Sequence, residues 1–250
     1  MTRALILAAG MGTRLRPLTD DRPKCLVQLA GKSLLERQID TLHKAGITDI
    51  RVAAGYRADQ IENLGYAVSI NKRFNKTNMV ETLFSALDFI EQEGDLIIAY
   101  GDIVYQLNNL QALLECHDQI ALMIDMKWKD IWSLRLDDPL QDAETLLIDH
   151  DGYVIELGKK PEGYDRIHGQ YTGLIKIAGD SISSFVEFYR RLDRGALYDG
   201  KDFENMFMTS FIQALIDNGW LEIDSCEDLY LYESLYERGE LDAYYRISDT

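Results

Sequence analysis

The chain predicts an α/β fold, a single doubly wound, Rossmann-like sheet that is mixed but mainly parallel and flanked by helices. Three observations predict it. Short apolar runs alternate with segments of helical spacing through the first ~105 residues, which is the pattern of a doubly wound sheet. The first and fourth apolar runs, ALILAAG (4–10) and DLIIAYGDIVY (95–105), are nearly uninterrupted, as strands buried on both faces require. A glycine-containing turn, LAAGMGTRLRPLTDDRPK (7–24), follows the first run directly.

The elements follow in order. SLLERQIDTLHKAG (33–46) has helical apolar spacing and ends at Gly46, a C-terminal cap. DIRVAAGY (49–56) is a second strand, ADQIENLG a short helix and AVSINKRF (67–74) a third strand. MVETLFSALDFIEQEG (79–94) reads as one helix closed by Gly94, leading into the fourth strand. IALMIDM (120–126) is a strand, and AETLLIDHDGYVIELG (143–158) a pair of strands about the hairpin turn DHDG. YTGLIKI (171–177) is a strand; SISSFVEFYRRLDRG (181–195) and ENMFMTSFIQALIDNG (204–219) are helices. WLEID (220–224) is a last strand, and EDLYLYESLYERG (227–239) a closing helix. No linker interrupts 1–250, which reads as one domain with a nucleotide-binding half (1–105) and an acceptor-binding half (106–250).

Composition excludes several classes of function. The chain of 250 residues has a net charge of −16, so a nucleic-acid surface is not expected. No apolar run reaches the length of a membrane span, and the N-terminus lacks a secretory layout; a cytoplasmic protein is expected. Cys25, Cys116 and Cys226 stand far apart, which argues against disulfides and structural zinc. The four histidines (His43, His117, His150, His168) show no ligand or triad spacing. Met206, Met208, Tyr230, Tyr232 and Tyr236 read as packing surfaces.

The charge is uneven. Residues 1–32 hold Arg3, Arg14, Arg16, Arg22, Lys24 and Lys32 against Asp20 and Asp21, a local balance of +4, while 219–250 hold nine acids and two bases. A basic loop in an acidic protein suits a small polyanion such as a nucleoside triphosphate. Neither familiar glycine pattern is present. A dinucleotide fingerprint from Gly10 needs glycine where Leu15 stands, and a P-loop ending in Gly31-Lys32-Ser33 needs one at Leu26. Gly31-Lys32-Ser33 instead opens a surface helix.

LILAAGMGTRLRPLT followed by RPKCLV resembles the opening of nucleotide-diphospho-sugar-type nucleotidyltransferases, a GT-A-like fold, and the resemblance runs over essentially the whole chain. It implies that Leu7, Ala8, Ala9, Gly10, Gly12 and Thr13 cradle the nucleotide, with Gly55 and Tyr56 near the base and Gly101 beside them. It implies Arg14 on the departing pyrophosphate and Lys24 on the α-phosphate. YGD and WLEIDSCEDL match the family's metal-binding positions, implying Mg²⁺ held by Asp102 and Asp224. ELGKKP resembles the acceptor-side motif, implying Glu156 and, on the acceptor phosphate, Lys159 or Lys160.

Ala8-Ala9-Gly10 is usual in cytidylyl- and uridylyl-transferring members. The middle segments 75–83, 127–146 and 169–177 resemble capsule-associated cytidylyltransferases that act on small phosphorylated amino compounds. The expected partners are CTP and such an acceptor, phosphoglutamine first, then phosphocholine or an aminoalkylphosphonate; a homodimer is left open. Trp128, Trp132, Arg135, Asp138, Asp142 and Glu144 supply an aromatic wall, a cation for a carboxylate and acids for an ammonium, and Gln170, Tyr171 and Thr172 open a strand; the alternative reading makes the tryptophans core and the acids a solvated hairpin. The alternatives are a sugar-1-phosphate nucleotidyltransferase and a silent regulatory subunit. The latter is disfavoured because Arg14, Lys24, Asp102 and Asp224 are all present.

Overall fold

In the computed structural model, residues 1–217, 226–239 and 241 are described. The first strand, β1 (Arg3–Ala8), is buried along its whole length. Its alternate residues feed two cores. Leu5 and Leu7 join one with Phe84, Phe89 and Phe211; Ala4, Ile6 and Ala8 join the other with Leu35, Ile39 and Leu42. That two-sided burial explains why the run carries no polar alternation. Helix α1 (Leu34–Lys44) begins at Ser33, whose hydroxyl accepts the Glu36 N–H while the Glu36 carboxylate accepts the Ser33 N–H. Gly31-Lys32-Ser33 therefore opens a helix, as expected.

Next come β2 (Ile50–Ala54), α2 (Ala58–Asn63) and β3 (Ala67–Ile70). The expected single helix over 79–94 is two, α3 (Met79–Phe84) and α4 (Leu87–Ile90). Ser85 Oγ donates to the Thr82 carbonyl at 2.7 Å, and Ala86 leaves helical geometry at ψ 31°. In one straight helix Phe84 and Phe89 would point about 140° apart; with the break both enter the same core. The buried Arg3 side chain then donates to four carbonyls just beyond, Phe89, Ile90, Glu93 and Gly94, at 2.6–3.0 Å.

The fourth strand, β4 (Leu96–Tyr100), stops five residues short of expectation and releases Gly101-Asp102 into a turn. Helix α5 (Leu107–Glu115) was not expected, although Leu107, Leu110, Leu113 and Leu114 carry the spacing of a helical face. Then follow β5 (Ile120–Asp125), the short helix α6 (Trp128–Trp132), and the hairpin of β6 (Leu146–Ile148) and β7 (Val154–Leu157). Asp149 Oδ1 shapes the hairpin turn by accepting the Asp151 and Tyr153 N–H groups at 3.0 and 2.9 Å. The chain continues with β8 (Gln170–Ile177), α7 (Ile182–Arg191), α8 (Met208–Asp217) and α9 (Cys226–Glu237). The expected strand 220–224 lies outside the described residues.

The sheet order is β3-β2-β1-β4-β8-β5. β1 pairs in parallel with β2 and β4, and β2 with β3. β8 runs antiparallel to both β4 and β5. The sheet is thus mixed and mainly parallel, with helices on both faces. The carboxyl ends of β1, β2, β4 and β5 share one edge, and β8 begins there. No helix among the described residues is long and apolar enough to cross a membrane.

Candidate active site

Beyond β1 the chain makes a tight loop. Gly12 has φ +60°, and a Cβ there would lie 2.9 Å from Lys24 Cβ and 3.2 Å from Thr19 Cγ2. Thr19, itself buried, donates its hydroxyl to the Gly12 carbonyl at 2.9 Å and closes the loop. The backbone N–H groups of residues 10–14 have no acceptor among the described residues. Consecutive free N–H groups at the end of a strand form an anion cradle.

The neighbouring strand ends are stitched to this loop. Tyr56 N–H donates to Ala9 O at 2.9 Å, and Gly101 N–H to Leu7 O at 2.8 Å. A Cβ on Gly101 would lie 2.8 Å from that same oxygen, so the contact requires glycine. Leu7, Ala8, Ala9, Gly55, Tyr56 and Gly101 are thus brought together. Gly10 and Thr13 are exposed within the loop. Tyr56 Oη also donates to the Asp20 carbonyl at 2.6 Å, fixing the outer part of the loop.

The six cations of residues 1–32 are sorted by their partners. Arg3 is buried beneath α4, where desolvation lowers its pKa. Arg16 pairs with Asp20 at 3.3 Å, Arg22 with Asp21 at 2.9 Å, and Lys32 with Asp40. Arg14 is exposed and has no ion-pair partner among the described residues; Lys24 Nζ bonds Asp102 Oδ2 across the loop. Arg16 and Arg22 thus carry acidic partners from their own loop, and Arg14 and Lys24 do not. Cys25, beside Lys24, faces the core, and burial pushes its thiol up to about 12.

Asp102 leaves the end of β4 beside this cradle; Asp224 lies outside the described residues. Among the described residues no group of three or more His, Cys, Asp or Glu side chains gathers to hold a metal. A single exposed carboxylate next to a phosphate cradle still fits Mg²⁺, which takes one or two carboxylates and completes its shell with phosphate oxygens and water.

Tyr100, two residues before Asp102, was not singled out from the sequence. Its ring meets Tyr171 edge to face at 5.7 Å, and burial raises both phenols, with the charges of Glu144 and Asp102 adding to the effect on Tyr100. Tyr100 therefore stands within electrostatic reach of both Asp102 and Glu144. Glu144 is partly buried, which raises its pKa against a hydrogen bond from Thr209, while Asp142 and Asp199 push it further up. No cation pairs with it among the described residues. Thr209 and Asp199 carried no sequence signal, because they come from α8 and from the turn at 198–201.

The other acceptor-side residues divide between framework and cleft. Trp128 is 4% exposed and packs with Ala143 and Ile167, so it is core, not an open wall; Trp132 stands edge-on to it at 5.2 Å. Gln170 is buried with its amide clasping the backbone of Glu144, donating at 2.7 Å and accepting at 3.3 Å. Thr172 Oγ1 donates to Met123 O at 2.9 Å. Glu156 is held down to about 2 by Arg166 at 2.7 Å, with Lys159 also bonded at 3.2 Å. Lys160 Nζ donates to the carbonyls of Leu140 and Gln141 at 2.9 and 2.8 Å. Asp138 caps the following turn through Leu140 N–H at 3.1 Å. Arg135 lies 4.8 Å over the Trp132 ring, its Nη2 3.5 Å from Asp142 Oδ2. Met206 and Met208 are buried as expected, whereas Tyr230 and Tyr236 are exposed. His168 accepts the Ile148 N–H and supports the hairpin.

Comparison with known proteins bears on this arrangement. Residues 4–132 match the MobA-like NTP transferase domain. The chain is 46% identical to CTP:phosphoglutamine cytidylyltransferase of Campylobacter jejuni, over 90% of this chain and 97% of that protein. It is 41% identical to choline-phosphate cytidylyltransferase of Streptococcus pneumoniae, over 36% of this chain and 40% of that protein. Among solved structures, the inositol-1-phosphate CTP transferase from T. maritima superposes with a TM-score of 0.66 at 21% identity, covering 99% of this chain and 98% of that one, a likeness of fold.

Proposed function

Because the chain belongs to the family of MobA-like NTP transferases and is a nucleotidyltransferase, we propose that it transfers CMP from CTP to a small phosphorylated amino compound and releases pyrophosphate. The observation that carries this reading is the run of N–H groups at residues 10–14 that find no acceptor among the described residues, with Arg14, which has no ion-pair partner among them, and the Lys24–Asp102 pair beside it. The N–H run and Arg14 bind the leaving phosphates, and Lys24 turns from Asp102 to the α-phosphate. Asp102 and Asp224 would hold Mg²⁺, which would supply charge neutralisation to the reacting phosphates. The acceptor is already anionic, so its oxygen attacks the α-phosphorus without a protein nucleophile, and the residues act by positioning and by charge.

Phosphoglutamine is the favoured acceptor, with phosphocholine and aminoalkylphosphonates next. The named activities of the cytidylyltransferase relatives support CTP and this acceptor class. Of the three candidate acids, Asp138 caps a turn and Asp142 lies against Arg135, so Glu144 is the carboxylate left for the acceptor's ammonium. Lys160 positions the 140–141 backbone. The reaction belongs to the cytoplasmic supply of activated groups for capsule or surface polysaccharide.

A pyrophosphate-release assay tests this by crossing CTP, UTP, GTP, ATP and dTTP with phosphoglutamine, phosphocholine, 2-aminoethylphosphonate and several sugar 1-phosphates. Turnover is expected with CTP and an amino acceptor. Robust turnover of a sugar 1-phosphate, with none of the amino compounds used, overturns the reading.

A further inference from the structure

Arg135 differs from the two lysines singled out on the acceptor side. Lys159 and Lys160 are held by hydrogen bonds to Glu156 and to two backbone carbonyls. None of the N–H donors of the Arg135 side chain makes a hydrogen bond among the described residues. Its guanidinium lies over Trp132 at 4.8 Å and faces Asp142 at 3.5 Å, beyond the 2.7–2.9 Å of a charge-assisted hydrogen bond. Both partners are more than half exposed, 55% and 53% by side chain, so the pair is loose and readily parted. A flat guanidinium braced on an indole with its donor fork free is built for a planar anion.

We infer that Asp142 is an internal stand-in for the α-carboxylate of the acceptor, and that binding exchanges the Asp142 carboxylate on Arg135 for the acceptor's own. This rests on the proposed amino-compound acceptor and narrows it to an α-amino acid. Asp142 already acts on Glu144 electrostatically, so the two acids are neighbours. When the acceptor's carboxylate takes Arg135, its ammonium, on the same carbon, arrives at Glu144, and the released Asp142 stays hydrated at its exposed position. An acceptor with an ammonium but no carboxylate leaves Arg135 on Asp142 and gains only the Glu144 contact. A site built for a charged group rejects analogues that lack it by large factors.

The test measures kcat/KM for phosphoglutamine and for 2-aminoethylphosphonate in the wild type, Arg135→Gln, Arg135→Lys and Asp142→Asn, with circular dichroism confirming the fold of each. Arg135→Gln is expected to lower kcat/KM for phosphoglutamine about tenfold or more, through KM, and to shrink the ratio between the two acceptors. Arg135→Lys restores only part of this, because the planar fork is lost. Asp142→Asn moves the ratio the other way, about two- to fivefold, since it removes an internal competitor worth one exposed ion pair. An unchanged phosphoglutamine rate in Arg135→Gln overturns the inference. So does an equal loss on both acceptors, which would make Arg135 a phosphate reader. A loss in Asp142→Asn matching that of Arg135→Gln would make Asp142 a direct contact and overturns it too. A wild type that uses neither amino compound overturns the proposed function, and the inference with it; a wild type that uses them puts only the inference at stake.

Discussion

Around residues 9–24 the groups proposed to meet the nucleotide are fixed by backbone. The N–H run of 10–14 is aimed by the positive φ of Gly12, and the strand ends close on it through Tyr56 and Gly101 N–H groups. Around residues 127–170 the groups proposed to meet the acceptor are side chains leaning on one another or on nearby backbone. Arg135 leans on Asp142, Lys159 on Glu156, and Gln170 on the backbone of Glu144. On the proposed reading a backbone cradle binds what every substrate of the class shares, the phosphates. A set of side-chain pairs is rearranged by single substitutions, and the proposal puts the choice among acceptors there.

The comparison can be broken most sharply at the carboxylates. Asp102→Asn and Asp224→Asn are each expected to reduce turnover below detection at saturating Mg²⁺ while the far-ultraviolet spectrum stays native. A near-normal rate in either variant would remove that residue from the metal site. Next in size are Arg14→Ala and Lys24→Ala, each expected to lower kcat roughly 10²- to 10³-fold, the scale seen when one pre-placed donor to a developing charge is removed. If KM for CTP rises and kcat does not fall, these residues only attract nucleotide.

On the acceptor side, Glu144→Gln should raise KM for amino acceptors about tenfold and at the same time stabilise the free protein. The sign follows from burial. The Glu144 carboxyl has a higher pKa folded than unfolded, so as pH rises the unfolded state loses this proton first and the folded state is penalised. The variant should therefore melt higher than wild type at neutral pH, with the gap closing as the solution is acidified through the ordinary glutamate range. Thermal melts of both proteins across pH decide it. An equal gap at every pH would point to packing instead. The smallest effect is expected at Arg16→Ala and Arg22→Ala. Both are exposed and paired with Asp20 and Asp21, and the proposed mechanism gives them no role, so steady-state rates should stay within about twofold of wild type. A large loss at either would restore the wider clamp that charge counting suggests.

The same contrast marks what was legible in the sequence. Strands β1, β2 and β4 and the loop between β1 and α1 were legible, because continuous burial and a left-handed glycine each impose residue types at fixed spacing. The break between α3 and α4 was not, since Ser85-Ala86 is compatible with a helix and only the shared core position of Phe84 and Phe89 decides the matter. The local net charge of +4 does not by itself single out Arg14 and Lys24, for a related reason. Net charge sums Arg16 and Arg22 with Arg14, whereas the short-range pairs that neutralise them depend on the turn geometry. Trp128 as core, and the Glu144–Thr209–Asp199 neighbourhood, arise from contacts between distant segments that composition does not encode.

One strand of the sheet runs against the others. β8 keeps regular register with β4 from Leu174 to Ile177, but its pairing with β5 is interrupted between Tyr171 and Ile175. Gly173 sits inside that interruption at φ +85°, where a Cβ would lie 2.6 Å from the Tyr100 ring. A side chain at 173 would wedge the strand away from Tyr100, so the break in register acts as a keystone of the sheet and not as slack.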